Sequence, residues 1–124
     1  MTDGFWYMAT PYTKYGWGRD VAFEIACGFA AELMVKNGYK VFSPIAHSHS
    51  IAEYGWLDPV DHEFWMDQCA PFMKAAEGLI VICMDGWRSS VGVAAEIEYF
   101  KSAGKKIFYY GIIKDTLSEE PPND

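Results

Sequence analysis

Residues 78–98 constrain the fold of this chain more than any other stretch. They begin with Gly-Leu-Ile-Val-Ile-Cys-Met, a continuous apolar run that is typical of a strand buried on both faces of a parallel sheet. A polar loop with turn and capping residues follows at 85–90, and an Ala-rich helical pattern then continues to Gly104. A strand, a short polar loop and a helix N-terminus together predict a site for a ligand with anionic or hydroxyl groups.

Glu96 lies one turn inside that helix, after the small residues Gly92, Ala94 and Ala95. A glutamate within a helix is most often a solvated surface residue. Glu98 points elsewhere around the helix, and we expect it to be such a solvated residue. Glu96 differs because it lies near the carboxyl end of a buried strand, where open α/β sheets bind their ligands. We therefore predict that Glu96 is a functional carboxylate.

The rest of the chain alternates strand and helix patterns. The aromatic run 5–9 predicts a first strand, the apolar periodicity of 19–37 a helix, and the short runs 39–42 and 107–110 two further strands. Right-handed crossovers make these strands parallel. The sequence predicts a three-layer α/β domain, flavodoxin-like or Rossmann-like, with a mostly parallel sheet of four or five strands in the order 2-1-3-4(-5).

The segments between these elements carry weaker signals. We expect a loop at 45–56 and a helix that starts at Asp58-Pro59 and is bent or interrupted by Pro71. The domain is expected to span residues 1–114, with 115–124 as a frayed acidic tail.

Composition excludes several classes of function. The formal net charge of −7 argues against binding a nucleic-acid polymer, which requires many basic contacts with phosphates. No apolar run is long enough to cross a bilayer, and no signal peptide with a basic start is visible, so we expect neither a membrane partner nor secretion. The three cysteines are odd in number and lie in apolar or helical contexts, which favours buried thiols in a cytoplasmic protein.

Two histidines, His47 and His49, are spaced by one residue and could ligate zinc with a carboxylate such as Asp58. No third ligand at a typical spacing accompanies them, and His62 is isolated. The pattern favours a wall of a ligand pocket or a hydrogen-bonded loop, and we expect no metal or other cofactor.

Three motifs together resemble a known group of enzymes: Tyr-Met-Ala-Thr-Pro-Tyr at 7–12, Phe-Ser-Pro-Ile-Ala-His-Ser-His at 42–49, and Asp-Gly-Trp-Arg-Ser-Ser-Val-Gly-Val-Ala-Ala-Glu at 85–96. They resemble a small bacterial and phage family that looks like a branch of the nucleoside 2-deoxyribosyltransferase superfamily. That superfamily also includes deoxynucleoside 5′-monophosphate N-glycosidases. The resemblance extends from Phe5 to Ile107, and the small-residue stretch ending in Glu96 is its most specific part.

The resemblance implies roles for individual residues. Glu96 matches the nucleophile that attacks C1′ of the deoxyribose, and Tyr7 matches the tyrosine that orients it. Asp67 is the best match for the aspartate that handles the base, although the segment that follows it is longer than usual, which makes Asp61 a rival. Ser90 and Gly92 match positions that hold the 5′ side of the sugar or a phosphate. The residues expected to contact substrate are Thr10, Pro11, Tyr12, His47, Trp87, Ser89, Ser90 and Gly92.

The chemistry of these residues is consistent with cleavage of an N-glycosidic bond. A carboxylate stabilises or captures the oxocarbenium-like centre, and a second, neutral carboxyl protonates the leaving base. The residues leave open whether water or a second base receives the sugar, which base is bound, and whether the substrate carries a phosphate. A nucleotide-binding or sensing module without turnover is the alternative. A homo-oligomer is implied by the resemblance only.

Overall fold

The structure, a computed structural model, describes residues 3–123. The elements in chain order are β1 (Phe5–Ala9), α1 (Arg19–Lys36), β2 (Lys40–Phe42), α2 (Pro44–Gly55), α3 (His62–Ala75), β3 (Gly78–Ile82), a 3-10 turn (Trp87–Ser89), α4 (Val91–Ser102), β4 (Lys106–Gly111) and β5 (Thr116–Ser118). One sheet contains the strands in the order β2-β1-β3-β4-β5. The first four are parallel and β5 is antiparallel to β4, so the predicted fold class and strand order are confirmed.

The strand β3 is the centre of the core, with all five residues buried. Its alternate side chains enter two apolar clusters on opposite faces of the sheet. Leu79 and Val81 pack with residues of α3 and α4, whereas Ile80 and Ile82 pack with residues of α1. Gly78 is required at the start of β3 because a Cβ there would lie 2.4 Å from the Trp6 ring. The result is the expected three layers.

Residues 45–56, predicted as a loop, are almost entirely helical, so that prediction is wrong. Ser43 ends β2 and also caps α2, because its hydroxyl accepts a hydrogen bond from the Ala46 N–H at 3.1 Å. Pro44 occupies the first helical position, where its missing N–H costs nothing. The same Ser-Pro pair that stops a strand thus starts a helix.

The predicted start of α3 at Asp58 is also wrong. Asp58 instead forms a local turn with the Val60 N–H at 3.0 Å, and Asp61 caps the helix by accepting from the Phe64 N–H at 3.2 Å. Pro71 does not end the helix, which continues to Ala75.

The tail was expected to be frayed from residue 115, but Thr116–Ser118 forms β5 and pairs with β4. The reason is packing, because Leu117 lies against the same apolar cluster as Ile80. Asp115 also forms an ion pair with Lys36 of α1. Within residues 3–123, no helix combines the length and apolar character needed to span a membrane.

Candidate functional site

A pocket of about 370 Å³ opens at the carboxyl ends of β1 and β3. Residues of β1 and its following loop, of α2, of α3 and of the first turns of α4 line it. Six of the predicted site residues are among the lining: Tyr7, Thr10, Tyr12, Ser90, Gly92 and Glu96. The adjacency of β1 and β3 in the sheet brings these distant segments together, as expected at the switch point of an open α/β sheet.

Glu96 is a buried carboxyl group in this pocket, with only 7% of its surface exposed. Burial raises the pKa of Glu96 to about 8, and the nearby Tyr7 hydroxyl lowers the pKa by a smaller amount. Among the ion pairs of residues 3–123, none involves Glu96. The Glu96 carboxyl is therefore largely protonated at pH 7, and a positive centre beside it favours its ionisation.

Two hydroxyl groups of the pocket, those of Tyr7 and Thr10, are buried without a hydrogen-bond partner among residues 3–123. Leaving such a group unpaired costs about 1–3 kcal/mol. Burial, together with the charge of Glu96, raises the pKa of the Tyr7 phenol, so Tyr7 remains a donor. The Tyr7 hydroxyl lies beside the Glu96 carboxyl, but the expected hydrogen bond between them does not have normal geometry. Both hydroxyls are available to a polar ligand.

The N-terminus of α4 forms another wall of the pocket. The Ser90 hydroxyl caps the helix by accepting from the Val93 N–H at 3.2 Å. A Cβ at Gly92 would meet only the Ser90 Oγ, at 3.9 Å, so the protein itself leaves open space there. This space beside Ser90 is available to a bound molecule.

The loops that follow β1 and β3 are joined at the edge of the pocket. The Gly16 N–H donates to the Asp85 carboxylate at 3.2 Å. Gly86 has a φ of 87°, and a Cβ there would lie 2.4 Å from the Lys14 carbonyl oxygen. Asp85 is therefore engaged with the loop 10–17, which is held against the loop that leads into α4.

Asp67 does not reach the pocket. It is exposed on α3, whereas Trp65, Met66 and Cys69 of the same helix line the pocket. Helical periodicity explains the difference, since Asp67 lies two positions from Trp65 and points outward. Asp61 is exposed and engaged as the helix cap. Among the described residues that line the pocket, Glu96 is the only acid.

Two other predicted contacts belong to apolar packing. Trp87 is buried in the core, with its ring centroid 5.7 Å from that of Tyr109. His47 is exposed and packs against Phe42 and Phe72, with ring centroids 5.4 and 5.8 Å away. Neither side chain lines the pocket.

The remaining two predicted contacts also lie outside the lining. Pro11, in the loop that follows β1, is fully buried. The Ser89 hydroxyl donates to the Gly86 carbonyl and is exposed. The residues adjacent to each of them, Thr10, Tyr12 and Ser90, supply the lining instead.

Sequence reasoning missed a hydrogen-bonded group beside the pocket. The Tyr12 hydroxyl lies 2.6 Å from His49 Nδ1, and His49 Nε2 lies 3.2 Å from an Asp20 carboxylate oxygen. The Phe23 ring stacks on the imidazole at 4.3 Å. Tyr12, His49 and Asp20 border a second cavity of about 300 Å³, which shares Tyr12 and Pro59 with the first. Nothing in the sequence placed His49 here, because α2 was not predicted.

Sequence reasoning also missed Cys69, whose buried thiol lies beside Tyr7 and Glu96. Burial raises the pKa of the Cys69 thiol. The weaker zinc hypothesis requires His47, His49 and Asp58 to converge, but the two imidazoles face different partners. In residues 3–123, no group of three or more His, Cys, Asp or Glu side chains could hold a metal ion.

Comparison with known proteins shows the family to which the chain belongs. Residues 4–112 match the family described as a domain of unknown function, DUF1937. No curated protein matches the chain. The matched segment contains every residue that lines the pocket and most of the sheet. The chain is therefore a member of the DUF1937 family.

Proposed function

We propose that this protein cleaves the N-glycosidic bond of a 2′-deoxynucleoside or its monophosphate, or transfers the deoxyribosyl group, with Glu96 as the nucleophile. The observation that carries the proposal is the buried Glu96 carboxyl in a pocket with two unpartnered hydroxyls, those of Tyr7 and Thr10. The resemblance of the three sequence motifs to the nucleoside 2-deoxyribosyltransferase superfamily supports the same chemistry.

The reaction proceeds in two steps on this proposal. A Glu96 oxygen bonds to C1′ while the C1′–N bond breaks and its electron pair leaves with the base, which takes up one proton. Water or a second base then attacks C1′, loses a proton, and releases the Glu96 carboxylate. The apolar surroundings that raise the pKa of Glu96 also strengthen its attraction to the positive charge developing on the sugar.

The direct test is release of free base. The protein is incubated with each common 2′-deoxynucleoside and each 5′-monophosphate, and the products are separated by chromatography. A second run with an added acceptor base distinguishes transfer from hydrolysis. Release of base from none of these compounds contradicts the proposed activity.

Tyr7→Phe is expected to lower the rate of base release by roughly 10- to 1000-fold, as for the loss of one preorganised donor. The phenol lies beside Glu96, and in the complex it orients the carboxylate and lowers its pKa. The rate constant under saturating substrate measures this effect. Tyr99→Phe is the matched control, because Tyr99 lies on α4 but not in the pocket. Equal rates for parent and Tyr7→Phe contradict the role.

The end of the pocket at Ser90 is expected to receive the 5′ side of the substrate. Backbone N–H groups at the start of α4 and the Ser90 hydroxyl favour a hydroxyl or a single phosphate. The net charge of −7 provides no long-range attraction for a triphosphate. We expect a nucleoside or monophosphate to bind more tightly than the triphosphate, measured by calorimetry with Glu96→Ala to prevent turnover. Tightest binding of the triphosphate contradicts this expectation.

One observation favours a second candidate, a nucleotide-binding or sensing module without turnover. A catalytic pair of carboxyls across one pocket is the usual arrangement for glycoside cleavage. Asp67, the expected partner of Glu96, is exposed and outside the pocket. Tight binding of a nucleoside or nucleotide without release of base, under all the conditions above, supports this candidate.

A further inference from the structure

We infer that Tyr12 donates the proton to the leaving base and that His49, held by Asp20, supplies the proton to Tyr12. This assignment rests on the proposed function. It identifies a general acid for the leaving base, because Glu96 is the only carboxyl among the described residues that line the pocket. His49 and Asp20 act through Tyr12 and are positioning residues, whereas Tyr12 itself contacts the substrate.

The need for such a donor follows from the lining of the pocket. Glu96 must be ionised to attack, so it cannot also protonate the base. The lining groups other than Glu96 that carry a transferable proton on an ionisable atom are Tyr7, Tyr12, His62 and Cys69. Tyr7 and Cys69 lie directly against Glu96, on the side of the nucleophile. Tyr12 and His62 are the two candidates that remain.

Tyr12 differs from His62 because its hydroxyl is hydrogen-bonded to a side chain that can return a proton to it. Its hydroxyl lies 2.6 Å from His49 Nδ1, a short hydrogen bond between partly buried groups. His49 is 10% exposed and has the Phe23 ring stacked on it at 4.3 Å, which fixes the plane of the imidazole. His62 is exposed at the first position of α3.

The second imidazole nitrogen sets the direction of transfer. His49 Nε2 lies 3.2 Å from an Asp20 carboxylate oxygen, so Nε2 keeps its proton and Nδ1 exchanges one with Tyr12. When His49 is protonated, Nδ1–H donates to the Tyr12 oxygen and leaves the Tyr12 proton free to point at the substrate. When His49 is neutral, the Tyr12 O–H is turned toward Nδ1 instead. Burial raises the pKa of the Tyr12 phenol, which keeps this proton in place until it is needed.

The imidazole of His49 lies among charged and titratable groups. The charged and titratable groups that face it come from α1, from its own helix and from the loop after β1: Arg19, Asp20, Glu53 and Tyr12. Two carboxylates against one guanidinium leave a net negative surrounding. Asp20 is 85% exposed, so its own contribution is screened by solvent.

The proton transfer is balanced without another reagent. The Tyr12 O–H bond breaks as an N–H bond forms on the departing base, and the His49 Nδ1 proton moves to the Tyr12 oxygen. The products are a neutral base, an intact phenol and a neutral imidazole, which regains its proton from solvent before the next turnover.

The experiment compares two leaving groups on the same sugar. One probe is the deoxynucleoside that the parent cleaves fastest, and the other is 4-nitrophenyl 2-deoxyribofuranoside, whose nitrophenolate leaves without a proton. Tyr12→Phe is expected to lose about 100-fold or more on the nucleoside and less than about 5-fold on the nitrophenyl probe. Asp20→Asn is expected to show the same selectivity with a smaller loss. Glu96→Ala loses both activities.

A pH profile provides a readout that a merely structural role does not change. The ratio of the parent's rates on the two probes is expected to depend on pH, because only the nucleoside requires a proton from the donor pair Tyr12 and His49. The ratio in Tyr12→Phe is expected to be independent of pH. The use of a ratio cancels the ionisation of Glu96, which affects both probes.

Three outcomes overturn the assignment. Equal losses of Tyr12→Phe on the two probes show that Tyr12 is structural, and a selective loss in His62→Gln instead moves the acid to His62. In both cases the parent still releases base, so the proposed function stands. A parent that releases no base from any deoxynucleoside overturns the proposed function, and the assignment falls with it.

Discussion

Glu96→Ala is expected to abolish base release and leave the fold intact. Removal of a covalent nucleophile costs several orders of magnitude in rate, on the order of 5 kcal/mol or more of transition-state stabilisation. The alanine also removes a buried carboxyl that has no ion-pair partner among the described residues, so the variant has no reason to unfold. Single-turnover assays with excess protein measure the loss most sensitively.

The matched control is Glu98→Ala, two positions along the same helix. Glu98 is exposed and accepts a hydrogen bond from the Ser102 hydroxyl at 3.2 Å, on the outer face of α4. Its removal is expected to change the rate by less than about twofold. Equal activity in Glu96→Ala and the parent refutes the mechanism, and a loss in Glu98→Ala as large as in Glu96→Ala shows that the helix rather than the carboxylate matters.

The contribution of Glu96 to the free energy of unfolding is expected to fall as the pH rises. Burial raises the pKa of Glu96 from 4.5 to about 8, so the folded protein holds a proton that the unfolded chain has released. The stabilising contribution of the neutral carboxyl is complete below pH 4.5 and declines as the pH rises to about 8. At about 1.4 kcal/mol per pKa unit, the decline amounts to about 5 kcal/mol.

Comparison of the parent with Glu96→Gln isolates this effect, because glutamine keeps the shape of the side chain and cannot ionise. Urea unfolding at intervals from pH 4 to pH 9 measures the difference between the two proteins. We expect Glu96→Gln to gain stability relative to the parent as the pH rises, whereas Glu98→Gln remains parallel to the parent. A constant difference between parent and Glu96→Gln across this range contradicts the raised pKa.

Local patterns were sufficient to predict the sheet. The apolar run of β3 and the aromatic run of β1 predict buried strands, right-handed crossovers make them parallel, and the flavodoxin-like fold that they indicate has the observed order. Glu96 could be identified in the same way, because its position after a buried strand and a cluster of small residues depends only on sequence. Thr10 and Ser90 follow from similar reasoning, since they lie at the ends of predicted elements, whereas Tyr7 was singled out only by the resemblance.

The wrong predictions concern residues that are compatible with two local structures. Ser43-Pro44 ends a strand and begins a helix, and the sequence analysis used only the first meaning. Asp58 and Asp61 are both good helix caps, and the structure uses the second. Leu117 looked like part of a polar tail, but it has a place against the core beside β4. In each case tertiary packing selects between local conformations of similar energy.

The sequence by itself determined the strands, most of the helices and the position of Glu96 after a buried strand, because these depend on periodicities of two and of about four residues within single elements. Only the tertiary structure decided which side chains share the pocket with Glu96. Asp67 and Cys69 lie on one helix, and the rotation of α3 about its axis turns the thiol inward and the carboxylate outward. The contacts of His49 with Tyr12 and Asp20 join three separate segments, and no local pattern contains the orientation of one element against another.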